Sequence, residues 1–346
     1  MAVNPLLAKV MSTGNPIIEG RKATIVWRGK TAPLLVNDFH NWEDGPQKME
    51  PLGKNLWVFS MLLSQYAYME YAFLDSKSGE RITDPFNPKR IWNGVNSYNH
   101  FFYMPSATPT HLIYPNEGIP RGIISRHKVP TGEFIVGSTR TVYLYQPPVN
   151  GPVPLVVVYD GVDYLKRANL NVIVDNMIAG GRIRPFAMAM IQNGGSARSV
   201  EYVCSDSTLG FIIEHLLPLA KQNLKLSSPA ESPYGVLGAS LGGLMALYTG
   251  LRASQIFGKV LSQSGAFLVP GHEFVVVDLV RYAPRPKIEI WMDVGRYEGL
   301  LDGNHKMVGF LKEKNYNVAY HEFYGGHNYT AWKNDIWRGL VSLFPA

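Results

Sequence analysis

Cysteine is nearly absent: Cys204 is the one thiol in 346 residues, so no internal disulfide can form and no Cys-rich zinc site can be assembled. A chain of this kind suits a reducing compartment, and a cytoplasmic location is expected. Cys204 itself lacks any motif that would support a thiol nucleophile and reads as a buried or incidental residue. Long hydrophobic runs are missing too. No stretch approaches the length of a membrane span, and Met1 to Pro16 has no basic segment leading into an apolar core, so neither a membrane partner nor a secretion leader is expected. The net charge is +6, yet the aligned Lys/Arg runs of a basic tail or helix are lacking, which argues against nucleic acid. Internal repeats and low-complexity tracts are absent as well. The mildly basic balance suits an anionic small-molecule substrate, and nothing points to a cofactor or to a particular oligomeric state.

What is present is a 46% hydrophobic composition, enough for a sizeable core over a length that suits two domains or one large one with an appendage. From about Lys22 to Met104 the pattern is of short alternating or aromatic runs: 23–27, 34–36, 56–59, 66–73 and 99–103. Turn signals every ten residues or so make this a small all-β sandwich. Its aromatics could form a sugar-binding platform, although packing is the commoner use of such residues. Pro105, Pro109, Pro115 and Pro120 then mark a linker in which no helix is expected. The expected division is a β-sandwich over 1–110 and an α/β domain over 111–346. In the latter an antiparallel pair, 123–129 and 140–145, precedes continuous apolar strands at 154–160, 186–191, 234–238, 259–262, 288–293 and 318–324. Helical patterns lie between them, at 170–178, 208–224 and 303–314, with a last one at 329–343. Strands of this kind, separated by helices, imply a sheet buried on both faces.

The chain is organised around Val236-Leu237-Gly238-Ala239-Ser240-Leu241-Gly242-Gly243-Leu244. An apolar run enters Gly-x-Ser-x-Gly and continues as Leu244-Met245-Ala246-Leu247-Tyr248, which reads as strand, sharp turn and helix: a nucleophile elbow. Gly238 and Gly242 are required because the turn brings backbone close to the serine, where a Cβ would collide. Ser240 is thus the candidate nucleophile, at a helix start that favours developing negative charge.

An activated serine needs a base and a carboxylate to orient it, and in α/β-hydrolases these follow the nucleophile as acid, then histidine, on loops after late strands. His272, His305, His321 and His327 all follow Ser240. His327, in Gly325-Gly326-His327 just beyond the last strand, is the candidate base; His321 falls within that strand and His305 near the start of a helix. For the acid, Asp293 ends its strand, while Glu298 and Asp302 lie beyond it. Spacing does not choose among the three.

A longer set of residues carries a family resemblance. Ser240 to Tyr248 and Phe257-Gly258-Lys259-Val260-Leu261-Ser262-Gln263-Ser264-Gly265 resemble the enterochelin esterase branch of the esterase D family. So do Val158-Tyr159-Asp160-Gly161, Arg198-Ser199-Val200-Glu201 leading to Leu216-Leu217-Pro218-Leu219, Gly295-Arg296-Tyr297-Glu298, and Gly325-Gly326-His327 with Trp332. They span the region after the linker in the family's order. Upstream, Val36 to Trp42, Met49, Trp57 and Asp84-Pro85-Phe86-Asn87-Pro88 resemble the early-set immunoglobulin-like domains that precede some esterases. The resemblance implies an α/β-hydrolase fold behind a β-sandwich, with Ser240 as nucleophile, His327 as base and Glu298 of Gly-x-x-Glu as acid. One departure is that Val162-Asp163-Tyr164 follows Gly161 where siderophore esterases tend to carry a glutamine and an aromatic.

These roles describe a serine carboxylic ester hydrolase acting through an acyl-enzyme. The oxyanion is expected to meet the N–H of Leu241 and a second N–H after Asp160-Gly161, from Val162. Arg198 is a candidate contact for a substrate anion, with an ion pair to Glu201 as its structural alternative. The expected substrate is a small anionic or aromatic ester such as a catecholate siderophore lactone. An acetyl or feruloyl carbohydrate esterase, an acyltransferase and a non-catalytic sugar-binding protein are the alternatives.

Overall fold

The computed structural model describes residues 4–42, 44–53, 55–94, 97–269 and 271–346. The chain forms two compact units: Met1–Pro109 with Gly295–Gly299 and Phe323–Ala331 in one, and Thr110–Val294, Leu300–Glu322 and Trp332–Ala346 in the other. The two short late segments cluster with the N-terminal unit, which a division at a single linker does not anticipate.

In the first unit, one antiparallel sheet is ordered Ile17–Glu19, Lys22–Arg28, Leu56–Leu62, Glu50–Gly53. The other runs Gln47–Lys48, Leu34–Asn37, Tyr68–Leu74, Tyr98–Tyr103, Arg90–Trp92, with Arg81–Ile82 also on Tyr68–Leu74. Alternation along the strands turns Ala23, Ile25 and Met61 of one sheet and Leu35, Met69, Tyr71, Phe73 and Phe102 of the other into a single buried cluster. The aromatics Tyr68, Tyr71, Phe73 and Phe102 are therefore core residues. Lys22–Arg28 is buried on both faces over Ala23 to Val26, because Val26 packs with Val10 of a helix, Pro5–Thr13, that the sequence pattern does not announce. Asn4 caps this helix by accepting from Leu6 N–H at 2.9 Å, and Pro5 begins it where a missing N–H costs nothing.

The second unit is built on an eight-stranded sheet in the order Ile123–Pro130, Thr139–Gln146, Ala187–Ile191, Leu155–Val158, Tyr234–Ala239, Phe257–Gln263, Glu289–Gly295, Asn317–Phe323. The first two strands are antiparallel, and the five from Ala187–Ile191 to Glu289–Gly295 run parallel. Leu155–Val158, Ala187–Ile191, Tyr234–Ala239 and Phe257–Gln263 are buried along their whole length, as helices on both faces require. From Leu155–Val158 the chain pairs outward to Ala187–Ile191 and then returns to the other side at Tyr234–Ala239. The order reverses there, a switch point of the kind beside which ligands bind in open α/β sheets. The elbow follows one of those strands and Asp160-Gly161 the other.

Helices Leu170–Ala179, Leu301–Glu313 and Tyr329–Leu343 lie within two residues of the sequence pattern. The pattern over 208–224 is one continuous run that widens into a π-type turn at Ile212–Leu216, between Asp206–Phe211 and Leu217–Asn223. Pro218 supplies the reason: it has no N–H to give the carbonyl four residues back, so the ladder shifts before it. Three helices of this unit carry no helical pattern in the sequence reading: Val275–Tyr282 and the short Gly161–Lys166 and Arg198–Tyr202. The linker holds one tight turn, His111–Ile113. Among the described residues no helix is long and apolar enough to cross a membrane.

Candidate active site

In the second unit, Ser240 sits between the strand Tyr234–Ala239 and the helix Leu241–Arg252 with φ 59° and ψ −124°, a conformation L residues rarely adopt. The turn is held on both sides: Ser240 N–H donates to Gln263 O at 2.9 Å, while Ser240 O accepts from Leu244 N–H at 3.0 Å and Ala266 N–H at 3.1 Å. A Cβ at Gly238 would meet the carbonyl of Gly242, and one at Gly243 would come within 2.6 Å of Ser262 Oγ. The glycines thus let helix and strand approach until the serine is partly exposed. Leu241 is the first residue of the helix, where amide N–H groups have no partner within the helix.

The neighbouring turn is also strained, with Asp160 at φ 50° heading the helix Gly161–Lys166. A Cβ on Gly161 would collide with the backbone of Met190, so only glycine fits there. Val162 lies in the first turn of that helix and is half-buried. Asp160 is only 2% exposed. Its carboxylate accepts from Arg198 Nε at 2.8 Å, Arg198 Nη2 at 2.6 Å and Asn193 Nδ2 at 2.7 Å, while its N–H donates to Tyr202 OH at 3.1 Å. Arg198 also reaches Ala239 O at 3.4 Å, and its charge is stacked over the Tyr202 ring. Arg198 is thus engaged by a carboxylate of its own chain. Glu201 is not its partner: Glu201 lies buried against Arg140 in a two-point pair of 2.6 and 2.9 Å.

The structure brings Glu298 and His327 together in the first unit. His327 Nδ1 is hydrogen-bonded to Glu298 Oε2, and Gly295 N–H donates to Glu298 Oε1. The Glu298 side chain is 1% exposed and that of His327 32% exposed, so a sheltered carboxylate is hydrogen-bonded to a ring that remains reachable. Arg296 N–H donates to Phe323 O at 2.9 Å and Tyr297 N–H to Gly325 O at 3.1 Å, which pins the two loops side by side.

The other candidates are occupied elsewhere. Asp293 is fully buried, accepting from Trp291 Nε1 at 2.9 Å and Gln263 Nε2 at 3.2 Å. Gln263 in turn accepts from Tyr164 OH at 3.0 Å and donates to Trp332 O at 3.2 Å, so Asp293 ties strand ends together. Asp302 is exposed in the first turn of Leu301–Glu313. His305 pairs with Glu322 and His321 with Asp335, and His272 lies in an exposed two-residue strand. Burial pushes the Cys204 thiol up to about 11, leaving little thiolate at neutral pH. Among the described residues no group of three or more His, Cys, Asp or Glu is gathered as a metal site would need. Unread in the sequence were Asn193 and Asp160 as Arg198's companions and the Gln263–Asp293–Trp332 network, whose members stand far apart in the chain.

Residues 135–343 match the family model described as putative esterase. The iron(III) enterobactin esterase of Dickeya dadantii (strain 3937) is 26% identical over 401 residues, covering 97% of this chain and 91% of that one. The iron(III) salmochelin esterase of Escherichia coli O6:H1 is 29% identical over 231 residues, 61% of this chain and 56% of its own. Among solved structures, the ferric enterobactin esterase from Salmonella typhimurium superposes with a TM-score of 0.79 at 21% identity, over 96% of each chain. A CE1 ferulic acid esterase from Anaeromyces mucronatus reaches 0.56 at 16% identity, over 68% of this chain and 96% of its own. With more than half its length matched by the family model, the chain belongs to this esterase family, and it is a carboxylic ester hydrolase of α/β-hydrolase fold.

Proposed function

We propose that this esterase opens the ester bonds of a ferric catecholate siderophore lactone in the cytoplasm, with Ser240 as nucleophile, His327 as base and Glu298 as acid. The observation that carries the catalytic reading is the Glu298–His327 pair, a buried carboxylate on Nδ1 of a reachable imidazole. In this reading His327 Nε2 takes the Ser240 proton as the hydroxyl oxygen attacks the ester carbonyl, and Glu298 stabilises the imidazolium. The N–H groups of Leu241 and Val162 receive the oxyanion. His327 returns the proton to the leaving alkoxide, and water attacks the acyl-Ser240 ester by the same route to release the acid.

The substrate class rests on relatives that span almost the whole chain, including the sandwich, and whose names give enterobactin as what they act on. A net charge of +6 suits the capture of a ferric tricatecholate, which is a multiply charged anion. Arg198 enters the proposal as a residue that holds Asp160, and with it the turn before Val162, instead of as the anion contact its position in the sequence suggested. The decisive measurement is kcat/KM for a ferric tricatecholate trilactone, a feruloylated oligosaccharide and a butyrate aryl ester at two salt concentrations. The trilactone should be strongly preferred, and its advantage should shrink with salt. A trilactone no better than butyrate removes the siderophore reading. Failure of an organophosphorus reagent to label Ser240 in folded protein removes the serine mechanism.

A further inference from the structure

The two loops that carry the acid–base pair are glycine-rich, with Gly295 and Gly299 around Glu298 and Gly325 and Gly326 before His327, so little in their own sequence holds them still. Their anchors come from the β-sandwich of the same unit. Gly299 N–H, next to Glu298, donates to Asn41 Oδ1 at 2.7 Å. Ser64 N–H donates to Tyr297 OH at 3.3 Å, and Tyr68 N–H to Tyr324 O at 2.9 Å. On the other side of His327, Asn328 Nδ2 approaches the Asp38 carboxylate at 3.4 and 3.5 Å. Gly326 lies so close to Asp38 that any Cβ would overlap the carboxylate.

Asp38 and Asn41 belong to one turn. Asn37 caps the three-residue helix Asp38–His40, and Asn41 ends it in the left-handed conformation at φ 50°, which asparagine tolerates better than most residues. Asp38 is completely buried and is fixed by Trp42 Nε1 at 2.7 Å and Glu70 N–H at 2.6 Å. One hydrogen-bonded turn of the sandwich thus contacts both loops within two residues of Glu298 and His327. We infer that the sandwich serves catalysis directly, Asn41 and Asp38 being positioning residues that hold the Glu298–His327 pair in register. The inference rests on the reading of that pair as the catalytic acid and base. It is physically demanding because a misplacement of about 1 Å in such a constellation can cost on the order of 100-fold in rate.

The test compares Asn41→Gly, which keeps the left-handed conformation but removes the acceptor, with Asn41→Asp, which keeps both, in the full chain. Readouts are kcat and KM on a short-chain aryl ester, the thermal midpoint, and the low-field proton resonance of the imidazole–carboxylate hydrogen bond. Asn41→Gly should lower kcat by about 10- to 100-fold, leave KM within about twofold and broaden the low-field resonance. Asn41→Asp should recover most of the loss. A merely structural Asn41 would lower the midpoint and move neither kcat nor the resonance, and that outcome overturns the inference. So does a kcat loss with an unaltered resonance. His327→Ala and Ser240→Ala are run alongside: if either retains wild-type turnover the catalytic reading fails, whereas if both are dead and Asn41→Gly is fully active, the positioning role alone fails.

Discussion

Ser240 and the Glu298–His327 pair, which the proposed mechanism joins in one reaction, are supported over different distances along the chain. The elbow is written in nine consecutive residues, and its shape follows from the strand, the helix and the glycines that let them meet; its farthest anchors, Gln263 and Ala266, lie on the next strand and the loop after it. The pair is held across 258 residues, from Asn41 to Gly299, and across 290, from Asp38 to Asn328. The elbow also stores strain, with Ser240 at φ 59°, whereas neither Glu298 nor His327 has a positive φ among the described residues. The proposed nucleophile is thus shaped by local backbone geometry, while the proposed acid–base pair, on glycine-rich loops, is held by a scaffold.

Removing the proposed nucleophile should give the largest effect. Ser240→Ala is expected to lower kcat by about 10⁵-fold or more, with little change in thermal midpoint, because the alanine keeps the turn and loses one half-exposed oxygen. Substantial turnover in this variant would transfer the chemistry to another group and end the comparison. Next comes the carboxylate: Glu298→Gln is expected to cost about 10⁴-fold in kcat, as loss of an orienting acid does in other triads. Asp302→Asn, at an exposed side chain in the first turn of its helix, should stay within about twofold of wild type. Asp293→Asn should act mainly on stability, since its carboxylate holds Trp291 and Gln263. A large kcat loss in either aspartate variant, with Glu298→Gln active, would break the assignment.

This contrast also explains what could be read from the sequence. The elbow, the buried parallel strands and the order Ser240, Glu298, His327 carry periodic or ordered signals. Spacing alone left Asp293, Glu298 and Asp302 open, because which carboxylate reaches Nδ1 of His327 depends on the fold of two loops. Family resemblance pointed to Glu298, the carboxylate that the geometry pairs with His327. Arg198 shows the limit most clearly. Its polar, Gly/Ser-rich surroundings read as an open loop with Glu201 as the nearest partner, but the segment is a short helix that turns the guanidinium onto Asp160, while Glu201 pairs with Arg140 from a distant strand. The helix Pro5–Thr13 and the anchoring turn Asp38–Asn41 were illegible for the same reason: their purpose lies in contacts remote in sequence.

Support for the turn before Val162 should be intermediate in size. Gly161→Ala must push the backbone away from Met190, and if Val162 N–H is an oxyanion donor as proposed, its displacement is expected to cost about 100- to 1,000-fold in kcat with KM little changed. Arg198→Ala leaves the Asp160 carboxylate buried without its cation, and a loss of about 3 kcal/mol in folding stability is expected from chemical denaturation. If Arg198→Ala instead raised KM for an anionic ester selectively while leaving the unfolding curve in place, Arg198 would be a substrate contact after all.

The smallest expected effect separates strain from scaffold. At φ 59° and ψ −124°, a serine costs on the order of 1–3 kcal/mol relative to a residue free of Cβ, while glycine returns about 0.5–1 kcal/mol of that through its more flexible unfolded chain. Ser240→Gly should therefore be inactive and slightly more stable than wild type, by about 1 kcal/mol, or roughly 2–4 °C in thermal midpoint for a domain of this size. Ser240→Ala, which retains the Cβ, should show no such gain. Glu298→Gln should shift the opposite way, because Gly295 N–H and His327 both lose a charged acceptor. A Ser240→Gly variant no more stable than Ser240→Ala would mean that the elbow stores no strain at the nucleophile, and that it too is held chiefly by its surroundings.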